Sequence, residues 1–96
     1  MQKIVKNNQD VLKYRDGMGG TIEIFDIVVR TQRSIGIGSR MIQELIEKEN
    51  PSVVYAFCRK ENVHAHNFYK KNGFRPVDIG QFYSDGCAIM FIYEAS

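Results

Sequence analysis

Residues 21–58 constrain the fold more than any other stretch of this chain. Thr21 to Val29 is rich in Ile and Val and reads as a strand. It runs into a loop, Arg30 to Gly38, that carries Gly36 and Gly38. Met41, Ile42, Leu45 and Ile46 then fall on one face of a helix, with Gln43, Glu44, Glu47 and Lys48 elsewhere. Asn50-Pro51 stops that helix, because the residue before proline disfavours helical backbone. Ser52 to Cys58 follows as an apolar strand of the buried type.

The flanking segments extend this pattern. Residues 3–15 read as two short strands about Asn7-Asn8-Gln9-Asp10. Asp16-Gly17-Met18-Gly19-Gly20 is a turn; a phosphate cradle would need a helix after it, and a strand follows. A second helix is predicted over about Glu61 to Asn72, with Ala65, Phe68 and Tyr69 on one face. Gly73 suits its left-handed terminus, and Pro76 lies just beyond. Strands at about Val77–Phe82 and Cys87–Tyr93 flank a hairpin turn, Ser84-Asp85-Gly86. The order β-β-β-α-β-α-β-β has two strand-helix-strand units. The expected class is α/β, a mixed sheet of about six strands with two main helices on it.

Composition narrows the function. Ninety-six residues are expected to form a single domain spanning 1–96. The longest apolar run, Cys87 to Tyr93, is far short of the roughly twenty residues of a membrane span. With no signal-peptide pattern at the start, a cytoplasmic protein without a membrane partner is expected. The net charge of +2 is too weak to argue for nucleic acid. Its distribution says more. Arg30, Arg33 and Arg40 lie in a stretch without acids, and Arg59, Lys60, Lys70, Lys71 and Arg75 are accompanied only by Glu61. Two local basic regions in a near-neutral chain suit a small anionic ligand, or else are solvated faces. Cys58 and Cys87 read as reduced thiols on strands. His64 and His66 are two apart on a helix and make no metal pair, so no metal is expected.

The loop and helix after the first long strand carry the chemistry. A helix start leaves about four N–H groups unpaired at the positive end of the dipole. Gly36 and Gly38 let a phosphate approach the backbone, and Arg33 and Arg40 add charge, which makes a sound pyrophosphate site. It is not a P-loop, because Gly38-Ser39-Arg40 has no Lys at the helix start. It is not a dinucleotide fingerprint, because Met41 stands where a third Gly or Ala is needed.

Arg33-Ser34-Ile35-Gly36-Ile37-Gly38 resembles the Gln/Arg-x-x-Gly-x-Gly/Ala signature of GNAT N-acetyltransferases. Asn62, Ala65 and Phe68-Tyr69-Lys70-Lys71-Asn72-Gly73-Phe74 resemble that family's second motif, Asn-x-x-Ala-x-x-x-Tyr-x-x-x-Gly-Phe, on the expected helix. The resemblance runs from about Ile22 to Tyr93, and the chain reads as a small member with a reduced N-terminus. It implies acetyl-CoA as acyl donor and direct acetyl transfer to a primary amine, on a small molecule or a peptide or protein, by a monomer or homodimer. It also implies cofactor contacts at Ile27, Val28, Val29, Arg33, Ser34, Ile35, Gly36, Ile37, Gly38, Ser39, Asn62 and Tyr69. Tyr69 aligns with the family's general acid, and Asn62 with the Asn near the pantetheine, although Asn62 equally suits a helix N-cap. Asp26-Ile27-Val28-Val29 resembles the corresponding strand of glucosamine-phosphate acetyltransferases.

A lysine-like amine must lose a proton before it attacks, so a carboxylate base is expected, and Glu23 and Asp26 are the candidates. Strand alternation puts them on opposite faces unless a bulge intervenes. Cys58 closes its strand near the expected thioester. Two other classes compete: a non-catalytic acyl-CoA-binding module, and a basic protein that binds RNA or a protein partner.

Overall fold

The computed structural model describes residues 2–29 and 36–95. β1 (Gln2–Asn7) and β2 (Asp10–Asp16) form a hairpin. Asn8 turns it at a φ of 57°, a left-handed conformation that Asn tolerates better than most residues. β3 (Thr21–Val28) pairs antiparallel with β2. Then come α1 (Ile37–Glu49), β4 (Val53–Arg59), α2 (Val63–Lys71), β5 (Arg75–Tyr83) and β6 (Gly86–Glu94), the order the pattern predicts. The strands form one sheet in the order β1-β2-β3-β4-β6-β5. β3 and β4 are parallel and the other neighbours antiparallel, so the sheet is mixed.

Local chemistry sets the element ends. α1 closes on Asn50 at a φ of 47°, its N–H donating to the Ile46 carbonyl, ahead of Pro51. α2 starts at Val63 because Asn62 caps it: the Asn62 side-chain oxygen accepts from the Ala65 N–H at 3.3 Å. Gly73, at a φ of 87°, reverses the chain after α2. β5 begins two residues ahead of Val77 and contains Pro76. That is tolerated because β5 is the edge strand, where a missing N–H breaks no ladder.

Both helices cover one face. Ile22, Ile24, Val54, Ala56 and Phe91 of the sheet are buried with Met41, Ile42 and Leu45 of α1 and Tyr69 of α2. α1 lies over β1 and β2, and α2 over β5 and β6. The opposite face carries Arg15, Glu23, Tyr55, Phe57, Met90 and Ile92, and no helix covers it among the described residues.

Two irregularities build the site. The β3–β4 pairing runs only from Thr21–Ile24 to Val53–Ala56, yet β3 continues to Val28 and β4 to Arg59. Past Ile24 and Ala56 the strands part and leave a gap at their carboxyl ends, the usual place for a ligand beside parallel strands. The second is a bulge. Tyr14 faces Ile24 while Lys13 faces Asp26, so Phe25 is an extra residue in β3. The bulge cancels the alternation: Glu23 opposite Arg15 and Asp26 opposite Lys13 share the face away from the helices.

Candidate active site

The gap between β3 and β4 opens into a cleft of about 840 Å³. On the helix side it is bordered by Gly36, Gly38 and Ser39 at the start of α1 and by Asn62, Ala65, Phe68 and Tyr69 of α2. Ile27, Val29 and Cys58 line its strand walls, and Asp26 lies at the gap itself. Of the expected cofactor residues, Val28 lies opposite Val11 of β2 and Ile37 is buried in the core, and neither borders the cleft. Arg33, Ser34 and Ile35 lie outside the described residues.

The start of α1 is open to an anion. Gly36 takes the N-cap position at a φ of 75°, with no side-chain cap on the helix. A left-handed backbone costs an ordinary L-residue roughly 1–2 kcal/mol, so glycine fits there. Among the described residues no side chain caps the first-turn N–H groups, and Ser39 lies beside them at the cleft wall.

Tyr69 sits at the inner wall, packed against Phe68, Phe74 and Phe91 with ring centroids 5.2–5.5 Å away. Burial pushes its hydroxyl well above the ordinary value, and the nearby acidic groups, the Cys58 thiol once ionised and the Asp26 carboxylate, push the same way. Such a phenol holds its proton at neutral pH and serves as a donor, not a base. Burial also pushes the Cys58 thiol up, to about 11, so it is neutral and a poor nucleophile at neutral pH.

The two candidate bases separate. Asp26 borders the cleft with Tyr69, whereas Glu23 does not. Glu23 is held by Arg15, whose Nε donates to its Oε1 at 3.0 Å. His64 borders the cleft, and His66 turns inward, its Nε2 2.9 Å from the Arg59 carbonyl.

Sequence reasoning does not find the far mouth of the cleft, which Phe25, Phe57, Arg59 and Tyr83 border. Tyr83 arrives there only because β5 returns as the outer strand beyond β6. The available signal was the density of aromatics on β4 and β5. Among the described residues no cluster of His, Cys, Asp and Glu could hold a metal ion, and no helix is long and apolar enough to cross a membrane.

The acetyltransferase (GNAT) family model matches residues 5–74. The chain belongs to the GNAT acetyltransferase family. No curated protein matches it. Among solved structures it is similar to a Bacillus anthracis protein described as a candidate streptothricin acetyltransferase, in complex with acetyl coenzyme A. That likeness has a TM-score of 0.82 at 24% identity, over 99% of this chain and 63% of the other. It is also similar to Arabidopsis thaliana NAA60 in complex with a bisubstrate analogue, with a TM-score of 0.76 at 22% identity over 91% and 65%. A Bacillus subtilis acetyltransferase in complex with CoA gives a TM-score of 0.72 at 18% identity over 97% and 75%. At these identities the likeness establishes the fold. The chain spans less than two thirds of the length of the first two.

Proposed function

We propose that this chain binds acetyl-CoA in the cleft and transfers its acetyl group directly to a primary amine. The observation that carries this reading is the meeting of Tyr69 and Asp26, from separate elements, in a cleft that starts at the uncapped end of α1. The residues present fit the donor. The amides of Gly36, Gly38 and Ser39 at the start of α1 would hold its pyrophosphate; the family resemblance adds Arg33 and Ser34, which lie outside the described residues. Ile27, Val29 and Asn62 would flank its pantetheine. Acetyl-CoA supplies a thioester, an activated acyl group.

The remaining chemistry falls to the chain. The acceptor nitrogen must arrive neutral, and Asp26 takes its proton directly or through water. The nitrogen lone pair forms the amide bond as the carbon–sulfur bond breaks, and the departing sulfur takes a proton from the Tyr69 hydroxyl. Tyr69 regains a proton from solvent. Glu23 is tied to Arg15 and does not border the cleft, so the base role falls to Asp26.

The test has two arms. Acetyl-CoA at about 100 times its Kd should stabilise the protein by roughly 2.7 kcal/mol and raise Tm accordingly. Gly36→Val should abolish that shift; an added Cβ meets no atom within 4 Å, but a φ of 75° strains a β-branched residue, so circular dichroism must show the variant folded for the result to count. Release of CoA thiol on adding amines then reports transfer. A competing reading, binding without turnover, is favoured by the absence of a helix over the acceptor face among the described residues. A Tm shift with no thiol release on any amine would select it.

A further inference from the structure

We propose, resting on the acetyl-transfer reading, that the acceptor is a primary amine joined by a short alkyl chain to an aromatic ring, which Phe25, Phe57 and Tyr83 receive. The bulge in β3 turns Phe25 and Asp26 together onto the face away from the helices. Phe57 lies on that face of β4, across the gap, and Tyr83 comes from β5. All three rings border the cleft that holds Asp26. A carboxylate for the amine and an aromatic wall for its substituent thus stand side by side at one mouth.

Each of the three rings already has a neighbour in the structure. Phe57 stacks on Phe82 at 4.7 Å and 14° and meets Tyr55 edge-on at 5.7 Å. The Arg15 guanidinium lies 5.1 Å from the Phe25 ring centre, and that of Arg59 lies 4.3 Å from Tyr83. Phe57, held between Phe82 and Tyr55, needs little ordering on binding, and aromatic pairs add attraction beyond buried area.

Charge selects against the alternatives. Asp26 is the only acid bordering the cleft among the described residues, and it forms no ion pair there. Arg15 and Arg59 are already paired, with Glu23 and Asp85 at 3.0 Å each. Asp26 is the one carboxylate of the lining and has Lys13 opposite it across the β2–β3 pairing, so the cleft can match at most one ammonium. Lys71, also on the lining, repels additional positive charge. Polyamines and other polycations fit poorly, and a small aliphatic amine leaves the aromatic wall wet.

The experiment compares 2-phenylethylamine, n-butylamine and spermidine in the CoA-release assay. The expected kcat/KM for 2-phenylethylamine is at least about tenfold above that for n-butylamine, with spermidine lowest. Phe57→Ala should reduce that preference to within about threefold. Phe25→Ala should do the same, and because Phe25 is exposed its loss leaves folding intact. Equal use of n-butylamine or spermidine, or a preference that survives both substitutions, overturns the proposal and leaves acetyl transfer standing. If no amine is acetylated, the transfer reading fails, and calorimetric titration of 2-phenylethylamine into the CoA-loaded protein decides the subsite. Saturable binding lost in Phe57→Ala upholds it; absence of saturable binding overturns it.

Discussion

Phe68 of α2 lies so close to Gly38 of α1 that a Cβ on Gly38 would stand 2.8 Å from the ring edge. The two helices that flank the cleft therefore touch at a position where any side chain would have to push the Phe68 ring edge aside. The glycine in the loop motif thus serves helix packing, beside the access for an anion that the proposal gives it.

Gly38→Ala forces Phe68 aside. Overpacking of this kind costs about 1–3 kcal/mol. The higher helix propensity of Ala, worth up to about 1 kcal/mol, offsets part of this, so at roughly 4–8 °C per kcal/mol Tm should fall by a few degrees. Phe68→Leu in the same chain should recover part of the loss, since the two residues share one contact. Additive losses in the double variant would show that the contact is not the cause.

Much of this arrangement is legible in the sequence, and the remainder fails for identifiable reasons. The face of Met41, Ile42 and Leu45, and the left-handed Gly73, are local properties that the sequence displays directly. The start of α2 at Val63, not Glu61, follows from the Asn62 cap, one of two roles its motif position allowed. The bulge at Phe25 is different. It depends on how β3 registers against Lys13 and Tyr14 of β2, which no pattern within β3 records. The same holds for the Arg15–Glu23 pair, which only the β2–β3 register brings together. The Phe57–Phe82 stack needs the β5–β6 hairpin to fold back beside β4. The side of the cleft at α1 and α2 is built from local signals, and the aromatic side from cross-strand partners.

The separation of Glu23 from Asp26 gives a kinetic test. Asp26→Asn should lower kcat/KM by about 10²-fold or more and flatten its acidic limb, the usual scale for a lost general base. Acetyl-CoA affinity should change little. Glu23→Gln should keep kcat/KM within about threefold, because its carboxylate serves Arg15 and an exposed pair of that kind is worth at most about 1 kcal/mol. A pH profile altered by Glu23→Gln and not by Asp26→Asn would reverse the assignment.

Cys58 offers a pH test without turnover. Its thiol is raised by burial from an ordinary 9.0 to about 11. The folded state favours the protonated form, so this contribution to stability is whole below pH 9 and is lost as pH rises through 11. Alkylation by iodoacetamide follows the thiolate, so Cys58 should react with a midpoint near 11, as read by peptide mass. Acetyl-CoA should slow the reaction further, since Cys58 borders the cleft. A midpoint near 9 would mean that the cleft wall opens to solvent.

Tyr69→Phe separates transfer from binding. The substitution removes one oxygen and keeps the ring against Phe74 and Phe91. A lost structural hydrogen bond would cost only about 0.5–1.5 kcal/mol, so Tm should move little. If the hydroxyl protonates the leaving sulfur, kcat should fall about 10²-fold while the Kd for acetyl-CoA stays near its original value. The hydroxyl is raised above its ordinary 10.0, so it remains protonated across the physiological range. Wild-type kcat should therefore show no alkaline decline from this group below pH 10. Equal turnover in Tyr69→Phe would remove the acid role and leave solvent as the proton source. A loss of acetyl-CoA binding without a change in kcat would make Tyr69 a wall of the cofactor site and nothing more.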